Sequence, residues 1–383
     1  MKFLLAPDSF KESLTAKEAA EAMERGLRKV FPKAEFVKVP MADGGEGTTT
    51  SLVDATGGEM YYPLVLDPLG REVKAKLGIL GGGDVAVIEM ASASGLELLE
   101  KDERNPLVTT TYGTGQLIKE ALDKGVKTII VGIGGSATND GGAGMVQALG
   151  GRLLDKDGKE IGFGGGALKD LAKIDLSQLD PRIKEVDIEV ACDVNNPLTG
   201  ELGASHIFGP QKGATPEMVL ELDEALKHYA EIIRSDLKLD IERVPGAGAA
   251  GGLGAGIMAF LGGKLSPGID IVIKYTQIED KMEGVDYVFT GEGSIDSQTR
   301  FGKTPYGVAK VAKKFNLPVI ALAGSLGHDV EVLYDYGFDA FFSILPGVCD
   351  LERALKEGAK NIERTCENIA RLIKITRYIL EQS

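Results

Sequence analysis

Cysteine and histidine are scarce in this chain, with three of each among 383 residues. Cys192, Cys349 and Cys366 are too scattered for a disulfide framework or a zinc site, and His206, His228 and His328 show no ligand spacing. No glycine-flanked serine elbow and no zinc-protease helix motif occurs, so hydrolytic triads have little support. Long apolar runs are also missing: none approaches the ~18 residues of a membrane span. Only residues 3–7 separate Lys2 from Asp8, too short for the apolar core of a secretion signal. These absences predict a cytoplasmic protein. Basic charge is in deficit, with 43 Lys plus Arg against 57 Asp plus Glu and a net charge of −14. That balance argues against nonspecific binding to nucleic acid or an anionic membrane. Any anionic substrate must therefore meet local basic groups.

Glycine is abundant, at 51 of 383 residues, while the hydrophobic share of 43% is that of a globular protein. The glycines are accordingly read as turns and loops. The length suggests two domains. Residues 2–6 read as a buried strand, 16–30 as an amphipathic helix and 35–39 as a second strand, the opening of a parallel α/β sheet. Short apolar runs at 287–290, 318–323 and 340–344, separated by helix-like segments, resume that alternation late in the chain. Between them, 61–66 and 73–80 flank Asp67-Pro68-Leu69-Gly70 as a hairpin, which points to antiparallel elements and a second sheet. The fold class expected is α/β with two domains. Residues 1–59 and 268–383 are expected to form a discontinuous parallel-sheet domain, and 60–267 an inserted α/β domain with a mixed sheet. Pro267-Gly268 is the best boundary signal, and the pattern from Leu351 to Ile369 predicts one long amphipathic helix covering the sheet.

In open α/β sheets, ligands bind beyond the carboxyl ends of strands. The richest loop is GIGGSATNDGG at 132–142, between the apolar run 127–131 and the helix-like 143–149. Such a turn offers backbone N–H groups and the positive end of a helix to an anion. Asp140 among those donors suits a phosphate that arrives with a divalent cation. Gly134, Gly135, Ser136 and Asn139 are candidate binding residues here. Ser9 and Lys11 follow the first strand. Asp43 and Glu46 follow the second and offer oxygen ligands or a base, although Ser13, Thr15 and Asp43 could equally cap helices. The inserted segment adds Ser94, Thr114 and CDVNNPL at 192–198, where Asp193 is the preferred base and Asn195 a binding candidate. The plain alternative is an Asx-type turn. Near the end, TGEGSIDSQT at 290–299 contributes Gly291, Glu292 and Asp296, with Lys303 just beyond. Ser297 stands where a phosphate loop needs its first glycine, which disfavours a standard phosphate-loop NTPase.

With these motifs the chain resembles the type I glycerate kinases, a bacterial family that phosphorylates glycerate with ATP. The likeness runs through APDSFKESLTA at 6–16, ADGGEGT at 42–48, GIGGSATNDGG at 132–142, CDVNNPL at 192–198, GAGAAGGLGAG at 246–256 and TGEGSIDSQT at 290–299. Glu12 stands where the family carries glycine as commonly as glutamate. The resemblance implies that the discontinuous domain is flavodoxin-like, or Rossmann-like, and it implies an active site in the cleft between the two domains, ATP and Mg²⁺, and 2-phosphoglycerate rather than 3-phosphoglycerate as product. The partners expected are glycerate and ATP, in a monomer or homodimer. Within that reading Asp193 accepts the hydroxyl proton, and Lys11 and Lys303 hold phosphate or carboxylate oxygens. Asp43, Asp296 or Glu292 anchors Mg²⁺, and the amides of 134–138 cradle part of the triphosphate. Two alternatives remain open. Gly132-Ile133-Gly134-Gly135-Ser136-Ala137 after a strand, with Asp155 about 20 residues on, fits an NAD(P)-dependent hydroxy-acid dehydrogenase. A non-catalytic glycerate or nucleotide sensor would use the same pocket without a base.

Overall fold

The computed structural model describes residues 1–382, with side chains through residue 379. Two compact units divide it. The first comprises residues 1–43, 50–57 and 269–383, the second 44–49 and 58–268.

In the first unit, five strands form a wholly parallel sheet in the order Ala340–Ser343, Val319–Leu326, Tyr287–Ile295, Lys2–Pro7 and Glu35–Lys38. Counted along the unit this is the flavodoxin-like order 2-1-3-4-5, which reverses direction between the first and third strands. Phe3, Leu5, Phe289 and Leu322 line one face and are fully buried. Helix Ala16–Arg28 covers them with Ala19, Ala20, Met23 and Leu27, joined by Ile362, Cys366 and Ile369 of helix Gly358–Gln382. Thr15 starts the first of these helices through a reciprocal capping box with Glu18. The C-terminal pattern resolves into two helices, Leu351–Lys356 and Gly358–Gln382. The break is set by the Phe10–Leu14 turn: Ser13 Oγ donates to the Leu355 carbonyl at 2.6 Å, and a Cβ on Gly358 would lie 2.3 Å from Ser13 Oγ.

The second unit carries a six-stranded mixed sheet. Lys264–Ser266, Asp187–Ala191, Thr128–Gly132 and Val85–Glu89 run parallel, and Leu77–Ile79 and Glu59–Tyr61 continue it antiparallel. The expected hairpin around residues 67–70 is present but splits into two ladders. Leu64–Leu66 pairs with Glu72–Lys74 beside the turn, while Glu59–Tyr61 and Leu77–Ile79 join the main sheet. Pro63 has no N–H to continue a ladder, and its carbonyl accepts from Ala75 where the two part. Helices Tyr112–Asp123, Pro216–Leu237 and Ala249–Leu261 bury Leu117, Ile118, Leu226, Tyr229, Leu253 and Ile257 in this unit's core.

Candidate active site

The reversal point of the parallel sheet concentrates negative charge. Asp8 leaves the first strand with its N–H on the Gly291 carbonyl at 2.8 Å. Asp8 as a whole is only 9% exposed. Thr304 Oγ1 donates to Asp8 Oδ2 at 2.5 Å and the Ser9 N–H donates to Oδ1 at 2.6 Å. Thr304 opens helix Thr304–Lys314, so Asp8 also meets a positive helix end. Burial nevertheless pushes Asp8 up to about 6, and the charge of Asp43 adds to the shift. Glu292 behaves alike: burial carries it to about 7, Lys303 opposes, and Asp8 and Asp43 push it further up. Lys303 Nζ stands 3.9 Å from Glu292 Oε1, and Thr299 Oγ1 donates to the same oxygen at 3.4 Å.

Glu292 and Gly291 lie inside a strand rather than in the loop that their motif suggests. The parallel ladder with Val319–Leu326 continues to Ile295, and Gly291 permits the close approach because a Cβ there would sit 2.2 Å from the Leu322 carbonyl. Asp296 is a cap on the one-turn helix Ser297–Arg300, accepting from the Gln298 N–H at 2.8 Å. Lys11 is exposed in the turn after Asp8. Its neighbour Glu12 has φ +62°, a left-handed conformation that glycine adopts without steric cost.

In the second unit, the strand Thr128–Gly132 runs into the glycine-rich turn and helix Ala143–Ala148. Donors behind the turn hold its carbonyls. The Leu96 N–H reaches Gly135 O at 2.9 Å, Thr109 Oγ1 reaches Ala137 O at 2.8 Å, Lys212 Nζ reaches Thr138 O at 2.7 Å and Tyr229 Oη reaches Gly141 O at 3.0 Å. In a trans peptide the next N–H points away from its carbonyl. The amides so directed at Ser136, Thr138 and Asn139 donate to no acceptor among the described residues, though all three residues are buried. Buried N–H groups almost always find partners. Thr138 and Asn139 are fully enclosed, so the edge of the turn open to an anion is the exposed Gly134–Gly135 pair with Ser136 beside it.

Asp140 is not part of that edge, contrary to the sequence reading. It is fully buried and accepts from Thr111 N–H and Oγ1, both at 2.9 Å, from Gly142 N–H at 3.1 Å and from Gly144 N–H at 3.2 Å. Ser94 and Thr114 are likewise fully buried and hydrogen-bonded to each other at 2.8 Å. Asn139 Nδ2 donates to Ser205 Oγ at 3.0 Å, and its Oδ1 is buried without a partner. Gly134 and Gly135 are exposed. Asp193 and Asn195 follow the strand Asp187–Ala191 and are exposed, and Asp193 Oδ1 accepts from the Gly268 N–H at 2.9 Å. Glu89 ties residues 44–49 to this unit by accepting from Gly47 and Thr49 N–H at 3.2 and 2.7 Å.

Two competing motifs have structural explanations. The glycines at 246–251 serve packing: Gly251 has φ +67° and lies where a Cβ would meet the Thr138 carbonyl at 1.9 Å. Asp155, the acid wanted by a dinucleotide site, organises a turn by accepting from the Asp157 and Lys159 N–H groups. Its strand, Arg152–Leu154, pairs antiparallel with Lys173–Asp175 and bridges antiparallel to Glu160, so the second parallel strand of a dinucleotide fold is missing there among the described residues.

No three His, Cys, Asp or Glu side chains among the described residues stand close enough to grip a metal by themselves. Mg²⁺ does not need such a cage, since it is usually held by one or two carboxylates plus substrate phosphates and water. Asp8, Asp43 and Glu292 are an all-oxygen set whose mutual repulsion a divalent cation would relieve. The donor set fits that ion.

The chain matches the model of the glycerate kinase family over residues 3–374. It is 57% identical to a glycerate kinase of Haemophilus influenzae, across 97% of this chain and 99% of that protein. It is 56% identical to a glycerate 2-kinase of Escherichia coli, across 98% of each. The chain belongs to the glycerate kinase family. Among solved structures it is similar to a provisionally named glycerate kinase 2 from Salmonella typhimurium, with a TM-score of 0.91 and 52% identity over 98% of this chain and 99% of that one. Members of the glycerate kinase family are phosphotransferases, and this chain is a kinase on that ground. No helix among the described residues is long and apolar enough to cross a membrane.

Of the residues singled out from sequence, Asp43, Glu292 and Lys303 are brought together in one electrostatic cluster. Asp8, Thr304 and Lys212 were not singled out. Asp8 lay in a recognised loop, but its partners are Thr304, 296 positions away, and Asp43. A lysine in a turn between helices reads as solvated, and only the packed chain shows Lys212 to be buried.

Proposed function

We propose that this chain transfers the terminal phosphoryl group of ATP to a hydroxyl of glycerate, giving 2-phosphoglycerate in preference to the 3-phosphate. The observation that carries this reading is the cluster of Asp8, Asp43 and Glu292 beside Lys303 at the reversal point of the parallel sheet. Two acids raised by burial, Asp8 and Glu292, with the charge of Asp43 beside them and a lysine next to them, suit a ligand that brings both a cation and phosphate. Asp43 and Glu292, joined by Asp8, would hold Mg²⁺, which when bound neutralises charge on the phosphates. Lys303 and Lys11 supply cations to phosphate or carboxylate oxygens. The exposed Gly134–Gly135 edge of the glycine loop, with Ser136 beside it, receives phosphate oxygens. Asp193 accepts the proton as the glycerate oxygen forms its bond to the terminal phosphorus and the bond to the ADP oxygen breaks. The hydrogen bond that its exposed carboxylate accepts from the Gly268 N–H supports that role.

The test is a coupled assay of ADP release with ATP, Mg²⁺ and D-glycerate, with glycerate omitted in the control. Phosphorus NMR reads which hydroxyl is phosphorylated. Glycerate-dependent release with a 2-phosphate signal is expected. Release that ignores glycerate, or none with L-glycerate and other hydroxy acids also tried, contradicts the reading.

A further inference from the structure

Lys212 is 1% exposed, in the turn Pro210–Lys212 that follows helix Ala204–Phe208. Its ammonium donates to the Thr138 carbonyl, and no carboxylate among the described residues lies within ion-pair distance. Burying a lysine without a contact carboxylate is costly, and burial pushes its amine down to about 7, whereas an apolar side chain of that length would fill the space without the cost. What an apolar chain could not do is hold that carbonyl. The peptide joining Thr138 to Asn139 is fixed with its oxygen toward Lys212, so its N–H points the other way. The same segment grips the loop a second time where Asn139 Nδ2 donates to Ser205. Tyr229 holds Gly141 in parallel, and its ring lies where a Cβ on Gly141 would be 2.5 Å away.

We propose that Lys212 is a positioning residue for phosphate binding: from behind the glycine loop it pins the Thr138 carbonyl and so holds the exposed Gly134–Gly135 edge of that loop in place for the nucleotide. This inference rests on the proposed function, in which the loop takes phosphate oxygens. It assigns a task to a buried amine that touches no reacting atom. Asp140, fully buried in the same loop, supplies the compensating negative charge at longer range.

The experiment compares the full-length chain with Lys212→Met and Lys212→Gln. ADP affinity is read by calorimetry, steady-state KM by the coupled assay, and amide exchange over residues 132–145 by mass spectrometry. Lys212→Met is expected to weaken ADP binding about tenfold or more and to speed exchange in that segment, with the KM for glycerate within about twofold of the parent. Lys212→Gln, which keeps a donor but no charge, is expected to fall between. ADP binding and loop exchange unchanged in a folded Lys212→Met protein would overturn the proposal, as would loss of the fold in both variants. An unaltered chain that binds no ADP removes the proposed function together with this inference, whereas normal parental binding with an unaffected variant removes this inference alone.

Discussion

Asp8 in the first unit and Asp140 in the second are both buried acids, yet their surroundings differ. Asp140 receives two bonds from Thr111 and one each from the amides of Gly142 and Gly144. Asp8 receives one hydroxyl and one adjacent amide, and it faces the charge of Asp43, with Glu292 also in its field. The first arrangement satisfies a carboxylate and fixes a turn. The second leaves carboxylates opposing one another, a configuration that a bound cation relieves. Burial alone therefore does not separate a structural acid from a working one, and the inventory of donors does.

The largest effect belongs to the proposed base. Asp193→Asn is expected to lower kcat roughly 10²–10⁴-fold with little change in ADP affinity. A kcat within a few fold of the parent removes Asp193 from that role. Next, Asp140→Asn should destabilise the second unit by about 2–4 kcal/mol, because the amide nitrogen would face donors. Urea denaturation measures this, and an unchanged midpoint would make Asp140 no more structural than Asp8.

Asp8→Asn should act with the opposite sign. The pKa of Asp8 rises from 3.8 to about 6 on folding, so its stability contribution is complete below about 3.8 and is lost as pH climbs through 6. The uncharged side chain avoids that loss. A gain on the order of 2–3 kcal/mol at pH 8, absent at pH 4, is expected by thermal denaturation at the two pH values. A variant less stable than the parent at pH 8 would place Asp8 with Asp140. The smallest effect is at Glu12. Its φ of +62° favours glycine, so Glu12→Gly should change stability by no more than about 1 kcal/mol, toward a gain.

The sequence displayed the strands and the loops that follow them, because buried parallel strands are short apolar runs and the polar residues stand at their ends. It also brought out Asp43, Glu292 and Lys303. What it could not display depends on partners remote in the chain. Asp140 reads as a ligand from its glycine neighbours, and only Thr111 shows that it faces inward. Gly251 looks like part of a nucleotide loop until the Thr138 carbonyl is found against it. The end of the Tyr287–Ile295 strand was hidden because Gly291, Glu292, Gly293 and Ser294 break the apolar run that marks a strand, while the neighbouring Val319–Leu326 strand continues the ladder.

The measurement that bears most directly on the carboxylate cluster is proton exchange on binding Mg²⁺–ADP at pH 6.5, read by calorimetry in two buffers of different ionisation enthalpy. With Asp8 near 6 and Glu292 near 7, a cation held by these groups should displace protons, and Asp8→Asn and Glu292→Gln should each reduce the release. Tight binding of Mg²⁺–ADP with no proton released, or release unchanged in both variants, would contradict the assignment of these acids to the metal–nucleotide site.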